Sequence, residues 1–359
     1  MQLSLDQISK KVGAEQWLYD MSLAPRSGEV TVLLGATQAG KTSLMRIMAG
    51  LDVPTQGKVL VNQADVTGMP VRERNVAMVY QQFINYPAFT VYENIASPMR
   101  IAGKDAATID REVRKAAELM RLTPYLDRTP LNLSGGQQQR TALARALVKN
   151  ASLVLMDEPL ANLDYKLREE LRLELPRIFA QSGAIFVYAT TEPSEALLLG
   201  GNTATLREGR VTQFGPTIDV YRRPGDLATA RTFADPPLNA IDVVKSNGAF
   251  THGGSGDLPV PAHLSHIADG PVTIAFHPHH LSLSPQTPGA PRLQARIQIA
   301  EITGSESFVH LDFAGARWIM LAPGIHDIDP DAMIDVFLDS RHLMAFAGDG
   351  RAISTSMAA

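Results

Sequence analysis

Gly35-Ala-Thr-Gln-Ala-Gly-Lys-Thr-Ser43 decides the fold. Gly35, Gly40, Lys41 and Thr42 fill every fixed position of G-x-x-x-x-G-K-[ST], a loop whose backbone N–H groups cradle a polyphosphate. Upstream, Val30 to Leu34 is a β-rich apolar run; downstream, Lys41 to Ala49 has helical texture until Gly50 stops it. Strand, glycine loop and helix in that order bring the loop's amides and a helix N-terminus to one point, where partial positive charge favours phosphate. Gly35, Ala36, Thr37, Gln38, Ala39, Gly40, Lys41, Thr42 and Ser43 are therefore the candidate nucleotide-binding residues. The Lys41 ammonium is expected to reach the β- and γ-phosphates, and the Thr42 hydroxyl to ligate Mg²⁺. Farther on, Leu153 to Met156 is a continuous apolar run, as expected of a parallel strand covered on both faces. It delivers Asp157 and Glu158 to the same edge, and Asp157 is expected to hold Mg²⁺, because a hard cation favours carboxylate oxygen.

Two further stretches complete the pattern: Leu133-Ser-Gly-Gly-Gln-Gln-Gln-Arg140 and Leu153-Val-Leu-Met-Asp-Glu-Pro159. With the glycine loop they make the chain resemble the ATP-binding cassette (ABC) ATPases. That resemblance implies an α/β P-loop NTPase domain with an inserted helical subdomain, using ATP and Mg²⁺. It implies that Glu158 orients and polarises the attacking water. It implies head-to-tail pairing of two cassettes, with Ser134, Gly135, Gly136 and Gln137 closing over nucleotide held by the other chain. Gln81, in Val79-Tyr-Gln-Gln82, matches the glutamine that contacts metal or water and moves with a transmembrane partner. Asp164, in Leu160-Ala-Asn-Leu-Asp164, matches the loop that crosses the dimer seam.

The resemblance narrows at Val91-Tyr-Glu-Asn-Ile95, at Tyr221-Arg-Arg-Pro224 and in the β-rich tail with Ala275-Phe-His-Pro278 and Glu301-Ile-Thr-Gly-Ser-Glu306. These look like the maltose-type importer ATPases of sugar and polyol uptake, and most like those of glycerol importers that pair two different ATPases. Such a subunit lies peripherally on the cytoplasmic face of the bacterial inner membrane. Its partners are two integral membrane permease subunits, a second ABC ATPase in a heterodimer (with a homodimer as the alternative) and, indirectly, a periplasmic or lipid-anchored substrate-binding protein. Its tail is a small all-β OB-like (TOBE) accessory domain with a regulatory role.

Three positions depart from the family pattern. After the apolar run Ile185 to Ala189 the family has Thr-His-Asp, with a histidine that contacts the γ-phosphate; here the run continues Thr190-Thr-Glu-Pro193. Thr191 keeps a hydroxyl donor but has no titratable ring and a shorter reach. Val12 stands where the family stacks an aromatic on adenine, and the nearby Trp17 and Tyr19 are out of register with that position. Gln38 stands at a common glycine, where a left-handed backbone would cost a side chain about 1–2 kcal/mol. The alternative reading is a catalytically degenerate, regulatory cassette whose intact Ser134 to Gln137 completes a partner's site.

The rest of the chain bounds these readings. Its 359 residues, 45% hydrophobic and 19% charged, suit two globular domains. Texture places an ATPase domain at 1–236, its helical subdomain at about 91–150, and the β-rich domain at 237–359. Within the subdomain, Val113, Ala116, Ala117 and Met120 form a helical stripe; beyond it, Leu167, Leu171, Leu175 and Ile178 form another, interrupted by Pro176. Leu293, Ala295, Ile297 and Ile299 alternate as a half-buried strand. A formal charge of −4 with no basic run argues against a nucleic-acid partner. The absence of cysteine excludes disulfides and thiolate metal sites. Met1 to Asp6 carries neither a basic segment nor an apolar core, so no export signal is expected, and no apolar run approaches the roughly 20 residues that cross a bilayer. His277, His279 and His280 cluster in sequence, but no companion set of ligands is legible, so no zinc site is assigned to them.

Overall fold

The computed structural model describes residues 1–161, 163–252, 257–326 and 329–354. Asn162 of the expected seam loop and 253–256 of the expected break at His252 to Asp257 lie outside the described residues. The chain divides into two compact units, Met1–Thr217 and Ile218–Ala359. The division falls earlier than the 236/237 boundary expected from texture, because the segment after Thr217 is sewn into the second unit. There Leu227 N–H donates to the Gly350 carbonyl and Ala352 N–H to the Gly225 carbonyl, both at 2.9 Å.

In the first unit the strand Val30–Leu34 lies between Ile185–Thr190 and Asn202–Arg207, parallel to both. Leu153–Asp157 pairs in parallel with Ile185–Thr190 and with Val76–Val79, while Arg210–Pro216 adds an antiparallel edge beside Asn202–Arg207. Every residue of Val30–Leu34, Leu153–Asp157 and Ile185–Thr190 is buried. That is why these strands read as largely apolar runs instead of alternating ones. A second, antiparallel sheet runs Glu15–Leu23, Leu3–Val12, Gln56–Val61, Ala64–Asp65. Its inner face joins the helix Lys41–Ala49 in one core through Leu3, Leu5, Leu18, Leu44 and Met48.

Helices Val91–Ile101, Ala106–Leu119 and Gly135–Val148 fill the expected helical subdomain. Val113, Ala116, Ala117 and Met120 are buried, as their spacing requires. The long helix Tyr165–Ser182 starts on Asp164, whose carboxylate accepts the Leu167 N–H at 3.0 Å. Its buried stripe is Leu167, Leu171, Leu175 and Phe179, not Ile178. Steps of four residues continue the line to position 179, where the Phe179 ring stacks on Phe186 at 4.0 Å and buries a larger apolar surface.

The second unit is built of antiparallel sheets around its own core, as the expected all-β accessory domain requires. Among the described residues one sheet runs Leu258–Pro259, Ala249–Thr251, Asn239–Ser246, Gly270–Phe276, Met344–Phe346, Ala352–Ser354. The other runs Leu281–Ser282, Met333–Leu338, Arg292–Ile302, Glu306–Phe313, Ala316–Pro323. Leu293, Ala295 and Ile297 face the core, but Ile299 is 51% exposed. A register shift between Ile297 and Ile299 explains this departure from the expected alternation, since one extra residue turns the following side chains to the other face.

Candidate functional site

The strands Val30–Leu34, Leu153–Asp157 and Ile185–Thr190 run in parallel and in register, with Leu34 beside Thr190 and Asp157 beside Ala189. Their carboxyl ends therefore open on one edge, where the glycine loop, the acidic pair and Thr191 emerge. Gly35 must be glycine: a Cβ there would stand 2.4 Å from the Leu206 carbonyl oxygen. Gly40 takes a left-handed φ of 103° and begins the helix Lys41–Ala49 without any side-chain cap. The first N–H groups of that helix thus keep their hydrogen-bonding capacity for a ligand.

Lys41 is only 5% exposed. Its ammonium donates to the carbonyls of Gly35 at 2.7 Å and Ala36 at 3.1 Å and lies 3.5 Å from Glu158 Oε1. Burial lowers its pKa, and the nearby carboxylates of Glu158 and Asp157 oppose that shift. The Thr42 hydroxyl donates to Asp157 Oδ2 at 2.6 Å. Asp157 is 2% exposed, and burial raises its pKa against the opposing bond from Thr42. A buried acid whose charge is penalised in this way, touching a hydroxyl, fits a Mg²⁺ site, with Thr42 and Asp157 as the oxygen donors.

Glu158 is held from three sides. Its N–H donates to the Ala189 carbonyl at 3.0 Å, and its φ of 47° is left-handed, a strained value for a residue with a side chain. Gln139, fully buried in the helix Gly135–Val148, donates its amide to the Pro159 carbonyl at 2.7 Å and braces the turn from behind. Gln81 Nε2 donates to Glu158 Oε2 at 2.8 Å. Lys41, Glu158 and Gln81 therefore form one polar line across the site, and Gln81 comes from the strand end beyond Val76–Val79.

These groups line a cleft of about 590 Å³. Thr37, Gln38, Gly40, Lys41, Thr42 and Ser43 from the loop and its helix, with Gln81 and Glu158, form one side of it. Gly35 and Ala39 are buried behind them and Ala36 is exposed outside the lining, with Ala39 4% exposed and its N–H on the Ala36 carbonyl at 3.1 Å. Gln38 has a φ of 67°, so the side chain sits on the left-handed backbone that the sequence raised as a condition.

The lining also contains Glu15, Gln16, Trp17, Glu208 and Gly209, none of which belongs to the sequence motifs. Trp17 is 47% exposed and belongs to the lining; Val12 and Tyr19 do not. Tyr19 instead lies under the Arg210 guanidinium, 3.7 Å from its ring centroid. Strand alternation places Glu15 and Trp17 on one face of Glu15–Leu23 and buries Leu18 on the other. Gly209 N–H donates to the Ala39 carbonyl at 3.1 Å and Tyr19 N–H to the Gly209 carbonyl at 2.9 Å, which pins this wall to the loop. The sequence signals available for it were the aromatic Trp17 and the glycine in Arg207-Glu-Gly-Arg210.

Two expected groups are not in this lining. Thr191 is exposed. Ser134, Gly135, Gly136 and Gln137 stand apart at the start of the helix Gly135–Val148. There the Ser134 hydroxyl accepts the Gln137 N–H at 3.3 Å and Gln137 Oε1 accepts the Ser134 N–H at 2.9 Å, a complete capping box.

Comparison with known proteins bears on this arrangement. The ABC transporter family profile matches residues 18–161. The trehalose/maltose import ATP-binding protein MalK of Thermococcus litoralis is 33% identical over 91% of this chain and 92% of its own. The sn-glycerol-3-phosphate import ATP-binding protein UgpC of Rhizobium meliloti is 36% identical over 81% of each. Among solved structures, the dimeric post-hydrolysis state of the ATP-binding cassette MJ0796 bound to ADP and Pi is similar with a TM-score of 0.55 and 27% identity. The similarity covers 60% of this chain and 98% of that one.

Proposed function

Because this chain belongs to the ABC transporter family, among the ATP-binding subunits of maltose-type importers, we propose that it binds and hydrolyses ATP to energise uptake of a small polyol or sugar, glycerol being our specific reading. The observation that carries the proposal is the polar line Lys41, Glu158 and Gln81, which with Thr42 lines one cleft, and the buried Asp157 that the Thr42 hydroxyl touches from that cleft. Lys41 and the uncapped N–H groups of its helix hold the β- and γ-phosphates. Thr42 and Asp157, with Gln81, would hold Mg²⁺, and the ion would supply neutralisation of phosphate charge. Glu158, released from Lys41 once phosphate takes the ammonium, orients water for attack, and Gln81 reports to the permease side whether that position is filled.

Ser134 to Gln137 act on a neighbouring cassette's nucleotide. The partners are a second ATPase and two permease subunits, with a substrate-binding protein acting through them, at the cytoplasmic face of the inner membrane. Among the described residues no helix is long and apolar enough to cross a bilayer, so contact with the membrane runs through the permeases. The names of the relatives support the substrate class, since one imports trehalose or maltose and the other sn-glycerol-3-phosphate.

The exposed Thr191, outside the cleft lining, favours a second reading in which this chain's own site turns over slowly and its main service is to complete the partner's site. Turnover of the reconstituted mixed dimer separates the two. Glu158→Gln abolishing turnover supports the first reading. Ser134→Arg abolishing it while Glu158→Gln spares it supports the second. Uptake of labelled glycerol, glycerol 3-phosphate and maltose by cells with and without the transporter identifies the cargo, and a loss confined to either of the latter two overturns glycerol.

A further inference from the structure

The second unit brings together a set of ligands that the sequence scatters. The turn Pro278–His280 leads directly into the strand Leu281–Ser282, and the strand Met333–Leu338 leads directly into Asp339 and the turn Ser340–His342. These strands pair antiparallel with Leu281 opposite Leu338, so the two turns meet at one end of the ladder. Asp339 N–H donates to the His280 carbonyl at 2.9 Å and ties them together. The imidazoles of His280 and His342 lie face to face, 4.2 Å between centroids and 7° from parallel. One ligand atom each from His280, Asp339 and His342 falls within 4.8 Å of the others.

Two of these imidazoles carry a nitrogen with no use in the fold. His280 Nε2 and His342 Nδ1 are buried, and neither has a hydrogen-bond partner among the described residues. A buried imidazole nitrogen without a partner is uncommon, because it forfeits hydration and gains nothing in return. Asp339 accepts from Arg341 at 2.9 and 2.7 Å, the kind of outer contact that orients a ligating carboxylate.

We propose that His280, Asp339 and His342 bind a divalent late first-row metal ion, with Zn²⁺ the best fit. Imidazole with a carboxylate suits that class. The stacked rings hold their in-plane lone pairs in parallel planes, so binding requires the imidazoles to turn out of the stack until ligand atoms with bonds of about 2.0–2.1 Å stand roughly 3.3 Å apart around a tetrahedral ion. Three protein ligands leave a further position to water. The sequence cluster of three histidines hid this set, since its companions come from sixty residues farther on and are joined only by the strand pairing.

The test titrates Zn²⁺ calorimetrically into the full chain after chelation and dialysis, without nucleotide. We expect one saturable site per chain, and visible absorption bands when Co²⁺ replaces Zn²⁺. His280→Gln and His342→Gln each weaken binding at least about tenfold. His310→Gln, which removes a histidine elsewhere in this unit, leaves it unchanged, and unaltered circular dichroism and urea unfolding show that the variants are folded. Absence of saturable zinc binding in the wild-type chain, or undiminished binding by both variants, overturns the proposal.

Discussion

The helices Lys41–Ala49 and Gly135–Val148 both begin beside glycine, yet their N-termini are finished in opposite ways. The first starts from left-handed Gly40 with no side-chain cap. The second starts from Ser134 with a complete capping box. An uncapped terminus leaves its donors available to a phosphate, and Lys41, Thr42 and the Asp157 that Thr42 touches stand beside it as the proposed remainder of the site. A capped terminus is stable without a ligand; what it offers a nucleotide is the exposed face of Ser134 and Gly135 and the helix dipole. On the proposed function, the uncapped terminus is the one that would hold this chain's nucleotide and the capped terminus the one that would wait for another's.

The largest test of this contrast is Lys41→Ala. It removes the buried ammonium that the loop encloses, and ATPase turnover of the reconstituted complex should fall at least about a hundredfold. Next is Gly35→Ala, whose Cβ meets the Leu206 backbone oxygen at 2.4 Å. The loop must shift, and urea denaturation should show a loss of about 1–3 kcal/mol together with weaker ATP binding. At the capped terminus, Ser134→Ala should cost about 1 kcal/mol in the same denaturation assay while leaving this chain's own ATP affinity intact. A fall in that affinity comparable to the effect of Lys41→Ala would break the distinction between the two termini.

The smallest effect sharpens the adenine end of the cleft. Trp17→Ala should weaken nucleotide binding roughly fivefold, as expected for loss of an aromatic contact of about 1 kcal/mol, whereas Val12→Ala should change nothing. Titration of a fluorescent ATP analogue checks both. Equal losses at the two positions would return the aromatic role to the strand end near Val12.

Much of the site was legible because its chemistry is local. Gly35 to Ser43 must be contiguous to curl around phosphate, and Leu153 to Glu158 must be contiguous for a buried strand to present two acids at its end. Other features were not legible, because they depend on which strands pair. Trp17 was set aside on register against Val12, but the cleft wall is defined by Gly209 meeting Ala39, a contact across most of the unit. Gln139 reads as one more glutamine in a run of three; only burial at 0% exposure against the turn after Glu158 gives it a bracing role. Ile299 continued a regular alternation that a bulge then reversed.

By itself, then, the sequence determined the strand, loop and helix around Lys41, the acidic strand end, the signature segment and the division into an α/β and an all-β part. Each of these is a short-range pattern, set by the backbone freedom of glycine, the periodicity of burial and the reach of a single side chain. Only the tertiary structure decided that Gln81 and Lys41 hold opposite oxygens of Glu158, that Trp17 faces the cleft, and that His280 meets Asp339 and His342. Those juxtapositions join residues tens of positions apart, and strand register and core packing, not local preference, bring such residues within a few ångströms.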